Sequence, residues 1–297
     1  MKKIVVVILV MILGLTIWYL LIKKYDYEIT FKANFAPQGV YHQVKKIGSG
    51  LHNAKKDHII NTSNLTQEVS INNEKVILDW HFKRIQDTIT KIRVGILSKE
   101  HSIRNRLQVL VGSSAMVQLV KEDLINFRKK LKGYTNTFKV IVEGETDIPA
   151  METLSVSSKI TRKRKAEEMM THNSYLYPKL VERNVRKSGF PYVKIKNWNQ
   201  EEDVIDLDFG FPIVYNDSLP VDSKINHTKI ASKKALKATY YGNYRTSDEA
   251  WFVLLEHATA NNISVEIKPL EIFYNDPMHG GNELEWKAEV FLPIIEH

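Results

Sequence analysis

Residues 4 to 22, IVVVILVMILGLTIWYLLI, run for 19 positions without a charge between Lys2–Lys3 and Lys23–Lys24. A helix crosses a bilayer with about 20 apolar residues, so the stretch is long enough to span one. A cleavable secretory signal has a shorter apolar region and a small-residue cleavage site. Here the run ends in Trp18, Tyr19 and two lysines, residue types that anchor helices at the membrane–water interface. A buried core helix is the competing reading, but such helices are rarely apolar on every face. Residues 1–25 therefore read as one uncleaved transmembrane anchor. Lys2, Lys3 and the terminal amine outweigh Lys23 and Lys24, which are followed by Asp26 and Glu28. By the positive-inside rule the amino terminus stays in the cytoplasm and the soluble domains lie outside it.

The remaining chain has ordinary globular character. Over 297 residues, 43% are hydrophobic and 26% charged, which excludes collagen-like and wholly disordered chains and suggests about two domains. The absence of cysteine excludes disulfide frameworks, zinc ribbons, iron–sulfur ligation and thiol nucleophiles. The net charge is +8, but beyond the anchor 38 basic residues face 34 acidic ones, so nucleic acid is not an expected partner. No phosphate-binding loop, dinucleotide fingerprint, nucleophile elbow or H-E-x-x-H pair is present, and neither cofactor nor metal is expected.

In residues 26–135, YEITFKANF alternates, with Tyr27, Ile29 and Phe31 on one side. Pro37 opens a short helical stretch reaching Lys46. KVILDWHFK aligns Val76, Leu78, Trp80 and Phe82, and TKIRVGILS aligns Ile92, Val94 and Ile96. A helix over about 114–131 spaces Val117, Val120, Leu124 and Phe127 to cover a sheet. This order, opening on ITFKANFAPQGVYHQV, resembles the START-like polyketide-cyclase/lipid-transfer (SRPBCC) superfamily. The resemblance implies a helix-grip fold, an antiparallel sheet with a long carboxy-terminal helix enclosing an apolar cavity, and transfers no catalytic residue. GYTNT at 133–137 is polar, contains a glycine and precedes a new strand, FKVIVEGE, so the junction falls there.

Residues 136–297 contain a repeat. PAMETLSV (149–156) matches KALKATYY (234–241), FPYVKIKNW (190–198) matches KPLEIFYND (268–276), and LDFGFPIV (207–214) matches AEVFLPII (288–295). Pairs Ala150/Ala235, Pro191/Pro269 and Pro212/Pro293 keep one order and nearly one offset, so two β-α-β-β units are expected. The first helix is expected from about Tyr175 to a glycine stop at Gly189. The second begins at Thr246, with Glu249 completing a capping box and Trp251, Leu254, Leu255 and Ala258 as its apolar stripe. The duplication, with GNYRTSDEAWFVLL, PLEIFYNDP and EWKAEVFLPI, resembles the GyrI-like, AraC-type effector-binding domain. That resemblance implies two pseudo-symmetric halves around a site for amphipathic, often cationic, small molecules, with a buried glutamate as counter-charge. Some members are transcription regulators and some are hydrolases. No helix-turn-helix reader is legible here.

Strand parity selects the candidate site. On the last strand Glu285, Lys287, Glu289 and Phe291 share one face and Trp286, Ala288, Val290 and Leu292 the other; on the preceding strand Glu271 and Phe273 oppose Leu270, Ile272 and Tyr274. Assigning the aliphatic faces to the helices puts Glu289 at the centre of a ligand site, flanked by Tyr244 and Phe273, with Glu271 nearby. Asp208 and Glu289 hold equivalent places, each four residues before a strand-ending proline. A carboxylate in an apolar site should have a raised pKa when empty, and a cation with aromatic walls should satisfy it. RKRK (162–165) reads as a solvated loop. The expected function is a membrane-anchored α+β protein that binds small amphipathic or cationic molecules. A hydrolase, with Glu289 as base and Tyr244 as donor, and a non-catalytic interaction module are the alternatives.

Overall fold

The computed structural model describes residues 2–48, 56–61, 63–71, 74–112, 114–215, 219–220 and 222–296. It is an α+β chain of two compact units, Met1–Tyr134 and Thr135–His297.

The first unit begins with α1 (Lys2–Ile17), continued by a π-helical turn over Trp18–Ile22. Lys3–Ile22 is long and apolar enough to cross a membrane, with a mean hydropathy of 2.9 and none of it buried. Then follow β1 (Tyr27–Ala33), α2 (Pro37–Gly48), β2 (Lys56–Asn61), β3 (Asn64–Ile71), β4 (Glu74–Gln86), β5 (Ile89–Ser98), α3 (Ser102–Leu110) and α4 (Ala115–Thr135). The strands form one antiparallel sheet in the order β1-β5-β4-β3-β2. Period-two alternation buries Val76, Leu78, Trp80 and Phe82 of β4 beside Ile92, Val94 and Ile96 of β5. The Ser114 hydroxyl accepts the Val117 N–H at the start of α4. That helix buries Met116, Val117, Val120, Leu124, Phe127 and Leu131. Phe127 meets Trp80 edge-on at 5.5 Å and Phe31 at 6.5 Å, so aromatic contacts join helix to sheet.

The second unit comprises β6 (Phe138–Asp147), β7 (Met151–Thr161), α5 (Lys165–Glu182), β8 (Tyr192–Asn199), β9 (Val204–Pro212), β10 (Asn226–Ile230), β11 (Lys234–Gly242), α6 (Glu249–Ala260), β12 (Leu270–Phe273) and β13 (Lys287–Pro293). Its sheet runs β10-β7-β9-β8-β12-β13-β11-β6, antiparallel throughout. Each repeat is a β-α-β-β unit, β7-α5-β8-β9 and β11-α6-β12-β13. The strand preceding each unit, β6 or β10, pairs with the first strand of the other unit. The pairs Leu270↔Lys194, Glu271↔Val193 and Ile272↔Tyr192 are symmetric about the central one, so a pseudo-two-fold axis passes between Glu271 and Val193.

The helix ends repeat as well. Asn184 and Asn262 both take positive φ, 53° and 55°. Val185 N–H then reaches Leu180 O at 2.9 Å, and Ile263 N–H reaches Ala258 O at 2.9 Å. Both helices thus close with the same left-handed cap. The first helix starts ten residues before the expected Tyr175 and stops at Asn184, not at Gly189. Its buried line is Lys165, Met169, His172, Leu176 and Leu180, too polar to read as a stripe. The second starts at Glu249, after a short 3-10 turn over Tyr244–Thr246. Register also moves one repeat match: Thr153 and Ala235 hold equivalent places opposite Pro212 and Pro293, so Ala150 is not the counterpart of Ala235.

The sheet bends. Laid flat, β7 and β11 would stand about 24 Å apart, five strand spacings. Yet Met151 pairs with Ile230 and Asp147 with Lys234, and the four-residue step from Ile230 to Lys234 spans at most about 14 Å. Ile148 N–H bonds Lys233 O at 2.8 Å where the two connections meet. The sheet is therefore a trough whose two rims meet on the pseudo-two-fold axis. There Ile148, Tyr192, Ile230, Ala235, Leu270, Ile272 and Phe291 form an apolar floor. On the outer side α5 packs against β7 and β9, and α6 against β11 and β13.

Candidate functional site

Register decides which side chains share a face, because directly paired residues in an antiparallel ladder point the same way. Ile272 pairs with Glu289 and Leu270 with Phe291, whereas Glu271 pairs with Val290 and Phe273 with Ala288. Glu289 therefore lies inside the trough with Ile272 and Tyr274, while Glu271 and Phe273 lie on the helix side. The single site expected from Glu289, Tyr244, Glu271 and Phe273 is divided by the sheet. Alternation holds within each strand, but the phase between β12 and β13 differs from the expected one.

Inside the trough Glu289 is only 13% exposed and is bound three ways. Lys237 Nζ lies 3.0 Å from Oε1, Lys287 Nζ donates to Oε1 at 2.8 Å, and Tyr274 Oη donates to Oε2 at 2.7 Å. Burial acts to raise the Glu289 pKa, but the hydrogen bonds from Lys287, Tyr274 and Lys237 outweigh it and hold the carboxyl below its ordinary value. This reverses the expected upward shift. Lys237 also pairs with Glu143 at 3.1 Å, closing a network of two acids and two lysines. Phe190 packs on Tyr274 with ring centroids 4.6 Å apart, and Lys287 stands 4.4 Å over the Tyr274 ring. In the other half, Asp208 accepts from Ser157 at 2.6 Å and pairs with Lys196 at 2.8 Å.

On the helix side Glu271 is wholly buried. Lys165 Nζ, the first residue of α5, donates to its two oxygens at 2.7 and 2.8 Å and to Ser247 Oγ at 2.7 Å. Ser247 Oγ donates to Glu271 Oε2 at 2.7 Å, and Trp251 Nε1 donates to Oε1 at 2.5 Å. Arg162 Nε bonds Asp203 at 2.7 Å, its guanidinium pairs with Asp248, and Phe252 lies 5.1 Å beneath it. Burial works against the Arg162 charge, but Asp248 and Asp203 more than offset it and raise its pKa. Arg162 and Lys165 are thus structural members of the core, which corrects the reading of RKRK as a solvated loop. Lys163 and Arg164 are the exposed pair.

Tyr244 also belongs to this side. Its ring packs on Phe273 at 4.7 Å and on Trp286 at 5.8 Å. Its hydroxyl donates to Lys287 O at 2.8 Å and accepts Asn275 N–H at 2.9 Å, and burial pushes its pKa up to about 12. Glu289 and Tyr244 stand on opposite faces, so they do not form the base–donor pair a hydrolase reading needed. The residues sequence reasoning missed are Lys165, Ser247, Lys237 and Tyr274. Tyr274 and Lys237 follow only from register, since Ile272 and Thr239 are the partners of Glu289 and the two residues alternate in phase with them.

No protein-family model matches the chain, and no curated protein sequence does. Among solved structures it is similar to the EcmrR C-terminal domain, at 12% identity over 54% of this chain and 99% of that one, TM-score 0.46. It is also similar to SAV2435 bound to tetraphenylphosphonium, at 8% identity over 52% and 94%, TM-score 0.36. A hydrolase from Listeria innocua is similar at 14% identity over 57% and 98%, TM-score 0.33. At these values the likenesses leave the family unassigned.

Proposed function

We propose that this chain is a membrane-anchored small-molecule-binding protein whose ligand lies at the Tyr274 end of the second unit's trough. One observation carries the reading. The Phe190–Tyr274 aromatic pair, with Phe190 46% exposed, stands beside a fixed network of charged groups and next to an apolar floor. An apolar surface with a few prearranged polar groups is what an amphipathic small molecule requires. The cationic preference expected from a bare glutamate is not part of the proposal, because Glu289 and Glu271 are both already paired with lysines. The anchor is Lys3–Ile22, supported by its length, its exposure and its interfacial Trp18 and Tyr19. In this reading the amino terminus lies on the cytoplasmic side, supported by the lysine balance alone. The START-like resemblance of the first unit would add an apolar ligand there, supported by the long helix over the sheet alone.

The test is a fluorescence-anisotropy titration of the full chain in nanodiscs, with rhodamine 6G and anilinonaphthalene sulfonate as probes and empty nanodiscs as background. Saturable binding of either probe is expected. Replacing Phe190 and Tyr274 together by alanine should weaken it about tenfold, two aromatic contacts of about 0.5–1.5 kcal/mol each. No saturable binding above background, or affinity unchanged in the double variant, would reject the site. The interaction-module reading has its own observation, the Lys165 ammonium that already occupies the Glu271 carboxylate.

A further inference from the structure

Helix α3 is built inside out. The residues it buries are Asn105 and Arg106, while Ile103, Leu107, Leu110 and the following Val111 are 49% to 77% exposed. These four fall at i, i+4, i+7 and i+8, one stripe along the helix, with the exposed Arg104 on its flank. A soluble helix has the opposite arrangement, and a contiguous exposed apolar stripe marks a surface that something covers.

The polar side shows where the stripe is held. Arg106 Nε pairs with the buried Asp26 at 2.9 Å, and its Nη1 donates to the carbonyls of Tyr19 and Leu20 at 3.0 and 2.9 Å. Tyr19 Oη donates in return to Arg106 O at 3.3 Å. Asp26 also accepts from Ser98 N–H at 3.0 Å and from the Ser102 hydroxyl, which opens α3. Asn105 donates to Glu74 at 3.1 Å. The buried arginine therefore clamps α3 onto the last turn of the apolar Lys3–Ile22 helix, three residues before that segment ends. At 1.5 Å per residue this point is about 5 Å inside the end of the span, the depth of the headgroup boundary.

We propose that α3 is an interfacial helix, lying on the bilayer surface with Ile103, Leu107, Leu110 and Val111 in the boundary between headgroups and acyl chains. This rests on the membrane-anchor reading above. The stripe continues the apolar surface of the anchor, so the occupant is lipid, and Arg104 with Lys23 supplies cations for anionic headgroups, while Lys24 is paired with Asp79 at 2.8 Å. Together the span and α3 give the first unit two points of membrane attachment and so hold it in one orientation.

The chain has no cysteine, so single-cysteine labelling reads the geometry directly. Spin labels are placed by Leu107→Cys and Leu110→Cys, by Leu13→Cys in the middle of the span, and by Lys129→Cys on the exposed side of α4. The full chain is reconstituted into vesicles of phosphatidylcholine with a minority of phosphatidylglycerol. Accessibility to oxygen against an aqueous nickel chelate then gives depth. The proposal expects Leu13 deep, Lys129 aqueous, and Leu107 and Leu110 at about 5–10 Å below the phosphates. Leu13 in lipid with Leu107 and Leu110 in water overturns the interfacial helix and leaves the anchor standing. Labels at 107 and 110 shielded from both reagents overturn it in favour of a protein partner or second copy. Leu13 in water overturns both readings.

Discussion

Replacing Lys165 with methionine leaves Glu271 as a buried carboxylate held by the Ser247 hydroxyl and the Trp251 indole. Lys165 is 1% and Glu271 0% exposed, so solvent cannot compensate for the missing ammonium. Removing one member of such a pair costs about 3–5 kcal/mol, mostly the penalty of an uncompensated buried charge. For a unit of this size each kcal/mol lowers the melting temperature by about 2–4 °C, so a fall of about 6–20 °C is expected. Glu271→Leu, which strands the lysine instead, should cost a similar amount. The double variant Lys165→Met/Glu271→Leu removes both charges and should recover most of the loss, because a buried pair contributes little net over apolar groups of similar volume. The assay is differential scanning calorimetry of the full chain in detergent, with hydrogen exchange resolved by peptide to assign the transition to residues 135–297. Single variants that each cost less than about 1 kcal/mol would refute a tight buried pair. Additive costs in the double variant would refute the coupling between them.

Two further perturbations follow from the same geometry. Burial is the largest influence on His81 and lowers its pKa, so the folded first unit favours the neutral ring. Its contribution to stability is complete above the unfolded value of about 6.5 and is lost as pH falls through the lower folded value. The melting temperature of the first unit should drop between pH 7 and 5, and His81→Gln should flatten that slope; an unchanged slope would remove His81 as its origin. Gly210 pairs with Tyr192 of β8 and Ser155 of β7, and a Cβ there would sit 2.3 Å from the Leu154 carbonyl oxygen. Gly210→Ala should cost about 1–3 kcal/mol in urea unfolding, and a neutral effect would show that the strand can shift.

Much of the fold is legible because one face of each strand or helix is apolar at a single period. Val76, Leu78, Trp80 and Phe82 in β4, and Val117, Val120, Leu124 and Phe127 in α4, fall where alternation and helical spacing put them. The repeat is legible from its prolines, and Asn184 and Asn262, each just past a helix, carry the same signal. What parity cannot supply is the phase between two strands when both faces hold acids and aromatics. Glu271 and Glu289 resemble each other in type, and grouping them by type placed them together. A one-residue difference in register sends every side chain of a strand to the other face, and the register here is set by the ladder from Leu270↔Phe291 to Phe273↔Ala288. Helix α5 is illegible for a related reason: its buried line opens on Lys165, a charge made tolerable by a partner 106 residues away.

Duplication itself forces the two halves apart chemically. Glu271 and Val193 occupy equivalent places and face each other across the pseudo-axis as a directly paired couple. A glutamate at both would set two carboxylates about 5 Å apart at their Cβ atoms in a buried ladder, with the one ammonium of Lys165 between them. A symmetric pair is therefore unstable, and the acid survives on one side only. The asymmetry extends along the trough, where Tyr274 binds Glu289 in one half while Lys196 binds Asp208 in the other. The trough thus has an aromatic pair at one end and a lysine–aspartate pair at the other. The repeated backbone makes the two ends alike in shape, and the divergence of its halves makes them unlike in chemistry.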